Sequence, residues 1–449
     1  MENTLSKQNK GFFKDGTLTI NLYVLTVVLI ISIFFVPDYI GILFLNVQRI
    51  CLLLMWYLIF RNLEHRKDFI STTLNVKINL LIFIYILILF VTAVYRRNLN
   101  TILNPLFDQI AIFYTVYYIF KRGFPVQKLL SLLTHITYIL CTMGIFEYIT
   151  KFSIFTKFQM IGGLTDGEYI RGGAYRILGP AHHPLGYGLF LIIMLGIICY
   201  KQNKGLNILN RPMGVLLIFL NAVFTGSRST AGIILLEIFL ITVFSTNKQK
   251  KETLIIIGLS VGALVSVIIM FFNTGIVQSI IAKFSLIVDA VFDTDIAQQF
   301  GVEGLTTYQN SENYRKLLPL IFKLDWLSPI IGRGYGYNFQ WFYDGFYINS
   351  IDNYYINQYI RVAYPGLIVQ ILIYLYFFWQ MIKLAFFKKQ ALAMAFLMGL
   401  TCYFVNLYWV DSLGTLDYIF FIFGVIYFLV DKSESGKKNN DNFNSNGYI

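Results

Sequence analysis

Charge is what this chain has least of. Only 13% of its 449 residues are Asp, Glu, Lys or Arg, against roughly 25% in a soluble globular protein. Too few charges remain to cover a water-facing surface, which excludes an ordinary soluble multidomain protein. Cysteine is equally sparse. Cys51, Cys141, Cys199 and Cys402 all fall within apolar runs. They lack metal-ligand spacing and are poorly placed for an extracellular disulfide, so redox and structural-zinc chemistry are not expected. The first apolar run follows a Lys-bearing leader without a small-residue cleavage site, and it reads as a signal anchor.

What is present is apolar: 57% of the chain is hydrophobic, with 42 Phe and 31 Tyr. About twelve membrane spans of roughly 20 residues require roughly 240 apolar residues, which this composition supplies. The expected class is therefore an all-α polytopic membrane protein of about twelve transmembrane helices. The runs lie near 18–36, 39–60, 79–95, 101–120, 128–149, 184–200, 212–226, 229–246, 253–272, 363–384, 390–410 and 413–430.

The net charge of +12 invites a nucleic-acid reading, but the basic residues are scattered through short loops, as topology signals are. With the N-terminus inside, 22 of the 36 basic residues fall on the inner side, 13 on the outer, and Arg49 inside a span. Every inner segment carries at least three, so the positive-inside rule places both termini in the cytoplasm. The expected organisation is a cytoplasmic tail over 1–17, nine spans over 18–272 with an outer loop at 150–183, a large extracytoplasmic loop at 273–362, three spans over 363–430, and a disordered cytoplasmic tail at 431–449. Connections as long as the two outer loops usually carry function. The larger one offers an interfacial helix near 276–291 and a second short helix near 313–326.

Residue types that carry chemistry concentrate on that outer side. Arg171, Arg176, Gly179, His182 and His183 precede Pro184 at the entrance to a span, where Pro suits the first helical turn. Ser227-Arg228-Ser229 is a tight outer connection, and a guanidinium there can fork onto phosphate oxygens. An interfacial anchor is the plainer reading of an isolated arginine. The large loop carries Asn310, Arg315, then Gly332-Arg333-Gly334-Tyr-Gly336, then Asp352-Asn353-Tyr354-Tyr355. The glycine run has no preceding strand, so a dinucleotide loop is a weak reading and a backbone-exposing turn the better one. Trp326, Trp341 and eight tyrosines (Tyr335, Tyr337, Tyr343, Tyr347, Tyr354, Tyr355, Tyr359, Tyr364) surround it; such rings suit sugar faces and the membrane interface alike. Asp293 and Asp295 form an acidic pair without a second ligand cluster. Arg49, Asp108, His135, Glu147, Glu237 and Asp417 fall inside spans, where each requires a partner or a cavity.

Three pieces together resemble the O-antigen polymerase/ligase superfamily of bacterial polysaccharide assembly: Arg176-x-x-Gly179-x-x-x-His183-Pro184, Thr225-x-Ser227-Arg228-Ser229, and Gly332-x-Gly334 followed by Asp352-Asn353-x-Tyr355 and Gly366. The resemblance covers roughly 170–370 and the topology. It implies a glycosyltransferase-C-like helical architecture in the bacterial cytoplasmic membrane with an extracytoplasmic active site. It also implies transfer of a glycan from an undecaprenyl-diphosphate-linked donor to an acceptor. On that resemblance Arg228 and Arg315, with Arg176, are the diphosphate residues. Arg171, Arg333, Gly334, Asn353, Tyr355 and Trp341 join them as diphosphate- or glycan-binding candidates, and Asp352 or His183 is the base. A chain-length regulator and a flippase are the implied protein partners. No cofactor or metal is called for, because the energy is stored in the lipid-linked donor. Leu185 stands where the family usually has Asn. Ligases carry His where this chain has Asp352, which favours a repeat-unit polymerase over a ligase. A lipid-linked oligosaccharide flippase is the rival of another class, although no internal repeat of the kind transporters show is evident.

Overall fold

The apolar runs fold into helices, several of them started by an Asn, Ser or His cap or by Pro in the first turn. The computed structural model describes residues 16–42, 44–160, 170–171, 174–271, 314–343 and 345–445, with isolated positions at 274, 278, 281 and 285. The helices are α1 (Gly16–Phe34), α2 (Val47–Arg61), α3 (Leu63–Leu74), α4 (Asn79–Arg96), α5 (Asn100–Pro105), α6 (Ile112–Lys121), α7 (Val126–Thr150), α8 (Pro184–Cys199), α9 (Pro212–Phe224), α10 (Arg228–Phe244), α11 (Asn247–Met270), α12 (Tyr354–Ile382), α13 (Ala391–Asn406) and α14 (Leu416–Ser445). Among the described residues, strand is confined to small antiparallel hairpins in the connections, such as Trp341–Tyr343 with Phe346–Ile348. The expected helix near 276–291, the Asp293/Asp295 pair and Asn310 lie outside the described residues.

Among the described residues, three helical stretches are long and apolar enough to cross a membrane: Asn79–Arg96, Val126–Thr150 and Tyr354–Phe387. Shorter apolar helices include Pro184–Cys199, Pro212–Phe224 and Ala391–Asn406. Helix α4 shows the environment its outer face suits. Ile82, Tyr85, Leu89 and Ala93 are buried, while Leu80, Phe83, Leu87, Phe90 and Val94 point outward and are exposed. These five recur at helical spacing, so the outer stripe is as apolar as the inner one. That is compatible with a helical membrane protein, because large contiguous apolar patches are rare on soluble monomers.

Helix α8 is the centre of the bundle. Nearly all of its side chains are buried, and α7, α9, α10 and α13 pack around it. Small residues let the backbones meet: a Cβ on Gly196 would lie 2.5 Å from the Ala395 carbonyl of α13. Close approach through glycine is a common packing device between membrane helices.

Four boundaries differ from the sequence expectation, each for a local reason. The run at 39–60 becomes helical only from Val47, because Asn46 accepts the Arg49 N–H as an N-cap and Gly41–Ile42 pairs with Leu45–Asn46 ahead of it. Between α5 and α6 the helix widens into a π turn over Leu106–Ala111 after Pro105, which lacks the N–H that an α-helix needs. Helix α12 begins at Tyr354 rather than 363, since Asn353 caps it, and it is broken at Ala363 (φ 55, ψ −171) two residues before Pro365. Helix α14 continues past 430, tied down by Lys121–Asp431 (3.3 Å) and Lys77–Glu434 (2.7 Å).

The connections form two separate layers at the two ends of the bundle. In one layer Arg122 pairs with Asp68, Gln127 bonds Gln202, and Gln249 reaches the Lys204 carbonyl. In the other, Arg96 reaches the Gly332 carbonyl, Asn353 the Tyr408 carbonyl, and the Arg176 guanidinium the Thr225 carbonyl. The first layer holds the lysine-rich connections; the second holds the candidate site.

Candidate functional site

The segment before α8 is organised by Glu147 at the end of α7. Its carboxylate accepts the backbone N–H groups of Leu178 (2.8 Å) and Gly179 (3.1 Å) and the Tyr175 hydroxyl (3.1 Å). A buried carboxylate is tolerated when its lone pairs are so occupied. This fixes the backbone from which Arg176 projects, and Arg176 Nε donates 2.7 Å to the Thr225 carbonyl. Ile177 N–H meets the Phe224 carbonyl at 3.1 Å. Arg176 is thereby set against the 225–227 turn, and Arg228 follows as the first, half-buried residue of α10, capped by Ser227. The two arginines thus flank one turn. Arg171 pairs with Ala174 in a two-residue hairpin. His183 caps α8, its Nδ1 accepting the Leu185 N–H at 3.1 Å, so that nitrogen serves the helix rather than a substrate.

Arg315 and Asp352 are brought together from 37 residues apart in sequence, at 3.5 Å. The Ser350 hydroxyl donates to the other Asp352 oxygen at 3.2 Å. The neighbouring Tyr314 hydroxyl is pushed well above the ordinary tyrosine value by burial, with Asp352 adding to the effect and Arg315 opposing it. It therefore stays neutral. Asn353 caps α12 through Ile356 N–H (3.0 Å) and donates to the Tyr408 carbonyl (2.8 Å). The Tyr355 hydroxyl bonds the Phe404 carbonyl at 2.9 Å. Asn353 and Tyr355 therefore build the floor beneath Asp352.

The glycine run proves to be a strap across the break in α12. Where the helix opens at Ala363, Arg333 N–H takes the Ile360 carbonyl (2.7 Å) and Gly334 N–H takes the Arg361 carbonyl (2.9 Å). Gly334 has φ +89, and a Cβ there would lie 2.4 Å from Thr101 Oγ1. The strap needs glycine at that position for both reasons. Arg333 lies over the Trp326 and Tyr337 rings at 5.2 and 5.6 Å, and its Nη2 donates 2.6 Å to the Trp326 carbonyl. The aromatics divide accordingly. Tyr335 and Tyr354 are buried in a hydroxyl–amide network with Gln358 (3.1–3.2 Å), extended by Tyr374 at 2.6 Å. Tyr337, Tyr343, Tyr347 and Trp326 stay exposed, and Trp341 sits half-buried beside Tyr343, ring centroids 5.0 Å apart.

Sequence reasoning missed the connection between α13 and α14. Its Asp411 pairs with Arg361 (3.1 Å) and accepts from Asn357 (2.8 Å), while Leu413 abuts Gly186 at the start of α8. Read as a short loop between spans, it carried one signal: an acidic residue, Asp411, followed by a Leu-Gly pair. Arg49, expected inside a span, sits at the start of α2 and holds Asp108 through two bonds of 2.6 and 2.9 Å.

No protein-family model matches the chain, and no curated protein is significantly similar to it. The functional reading therefore stands on the residues and their arrangement.

Proposed function

We propose that the chain is a polymerase of lipid-linked polysaccharide repeat units. It would transfer a glycan from undecaprenyl diphosphate to a carrier-linked acceptor repeat on the outer face of the bacterial cytoplasmic membrane. In this reading about twelve helices span the bilayer, both termini are cytoplasmic, and the arginine-bearing layer is extracytoplasmic. One observation carries the proposal. Arg176 and Arg228 flank a single turn at the bundle end opposite the lysine-rich connections, in the same layer as the Arg315–Asp352 pair. Guanidinium groups at a membrane surface suit a lipid diphosphate: they bind its oxygens bidentately and stabilise the charge that grows as it leaves.

Asp352 in place of histidine favours the polymerase over the ligase. The test is elongation by the full-length protein in proteoliposomes supplied with undecaprenyl-diphosphate-linked repeat units. Arg228→Ala and Arg315→Ala should each lower the rate about 100-fold, the scale of losing one charge-stabilising donor. Unchanged polymer length in both variants would end this reading, and transbilayer movement of the lipid without elongation would replace it with a flippase.

A further inference from the structure

A small, solvent-open cleft lies in the same layer, and none of the residues assigned above uses it. Four stretches far apart in sequence form its walls: the turn after α1, the start of α2, the segment before α8, and the α13–α14 connection. Its polar groups include Asp38, Asn46, Gln48, His182, Thr415 and Asp417. Gln48 and Asp417 are more than nine-tenths buried yet line it, and Asp417 Oδ1 accepts the Tyr418 N–H at 2.8 Å.

At the mouth, His182 Nε2 meets Asp38 Oδ1, and the Tyr39 ring lies 5.2 Å from the imidazole. The chain reaches this point through two residues at positive φ, Leu413 (47°) and Gly414 (84°). A Cβ on Gly414 would stand 3.3 Å from Asp38 Oδ2, so glycine keeps the space before that oxygen clear. The contrast with Asp352 is informative. Arg315 and Ser350 engage the two Asp352 oxygens. Asp38 is anchored through Oδ1, its side chain is 43% exposed, and among the described residues no hydrogen bond reaches Oδ2. One wall of the cleft, Pro180 to His182, follows in the chain on the segment that carries Arg176. The Tyr39 hydroxyl is held above the ordinary tyrosine value by burial first, and then by Asp38 and by Glu147, the carboxylate that shapes the segment carrying Arg176.

We infer that this cleft is the acceptor subsite: it seats the terminal sugar of the acceptor repeat, with Asp38 as the base and His182 as the residue that positions it. This deepens the polymerase reading and rests on it. The attacking sugar hydroxyl bonds to the anomeric carbon of the donor glycan. The bond from that carbon to the lipid diphosphate breaks, and its electron pair leaves on the diphosphate. The hydroxyl proton passes to Asp38 Oδ2. A carboxylate with one oxygen fixed and the other facing a polar cleft has the geometry that a general base requires.

The test uses full-length protein in proteoliposomes with undecaprenyl-diphosphate-linked repeat units extracted from cells lacking the polymerase. Failure of the wild-type protein to elongate them would overturn the polymerase reading and this inference with it. Where the wild type elongates, Asp38→Asn should lower the rate about 100-fold or more, while retention of radiolabelled donor by the detergent-purified protein stays within threefold. Asp38→Asn activity within fivefold of wild type would overturn the acceptor subsite and leave the polymerase standing. Should Asp38→Asn fail to fold, Gln48→Leu leaves the Asp38–His182 pair intact. It should raise the KM for acceptor about tenfold, one hydrogen bond's worth, with kcat nearly unchanged, and an unchanged KM would also overturn the subsite. Wild-type activity abolished by chelator would mark the cleft as a cation site and reject the base.

Discussion

The two ends of the helical bundle treat charge in opposite ways. At the lysine-rich end the ion pairs reach the surface: Lys77–Glu434 has side chains 62% and 52% exposed, and Lys121–Asp431 and Arg122–Asp68 are partly exposed. At the other end charges are built into the backbone. Glu147 takes two N–H groups and a hydroxyl. Arg49 is locked to Asp108, Asn104 and the Phe44 carbonyl, and Arg361 is held by Asp411. Exposed pairs contribute little to stability, so the first end can exchange its charges freely as long as their sign and side persist. The second end depends on position. That difference separates charges that stay at the surface from charges that shape the backbone around them.

The sharpest way to break the comparison is Glu147→Ala. It leaves the Leu178 and Gly179 N–H groups and the Tyr175 hydroxyl without their carboxylate in a buried place. The expected loss is about 3 kcal/mol, the scale of several hydrogen bonds to a buried charge, read as a lower Tm in detergent. Glu147→Gln keeps one acceptor and should lose about half as much. A loss no larger than that of a surface pair would erase the distinction between the ends.

The helices were legible in the sequence because apolar runs and their Asn, Ser and Pro boundaries are local properties. Arg176 was legible in a dense group of Arg and His before a span, whereas Arg228 stood alone in its connection. What was hidden depends on distant pairing. Nothing near Gly332–Gly334 announces that the segment will mend a helix broken at Ala363, since the break and the strap lie about 30 residues apart. The Tyr335–Gln358–Tyr354 network takes two of the eight loop tyrosines into the interior, which composition alone cannot separate from a sugar-facing set. Asp38 stands in the sequence as a lone acid beside Pro37; its partner His182 is 144 residues away.

The strap gives two intermediate tests of opposite sign. Gly334→Ala places a Cβ 2.4 Å from Thr101 Oγ1 at φ +89, so both steric overlap and backbone strain oppose it. The expected cost is about 2 kcal/mol, and adding Thr101→Ala should return the steric part but not the backbone part. Ala363→Gly acts the other way. At φ 55 and ψ −171 the alanine occupies a region natural to glycine, and the substitution should stabilise by about 1 kcal/mol. A destabilised Ala363→Gly would mean that the helix break is held by the alanine methyl packing rather than tolerated in spite of it.

The smallest effect belongs to the other end. Lys77→Ala and Glu434→Ala should each cost less than about 0.5 kcal/mol, and the double variant no more than either, because an exposed pair spends side-chain entropy for a screened attraction. The Lys77 ammonium is held above the ordinary lysine value chiefly by its hydrogen bond to Glu434. A raised value means that the pair's contribution is fully present below the unfolded lysine value, about 10.4, and fades only as pH rises through the folded one. Melting curves of the wild type and Lys77→Ala should therefore run parallel from about pH 6 to 9, with their small separation closing in high salt. A separation above 2 kcal/mol that persists in salt would show that this end, too, is built on position.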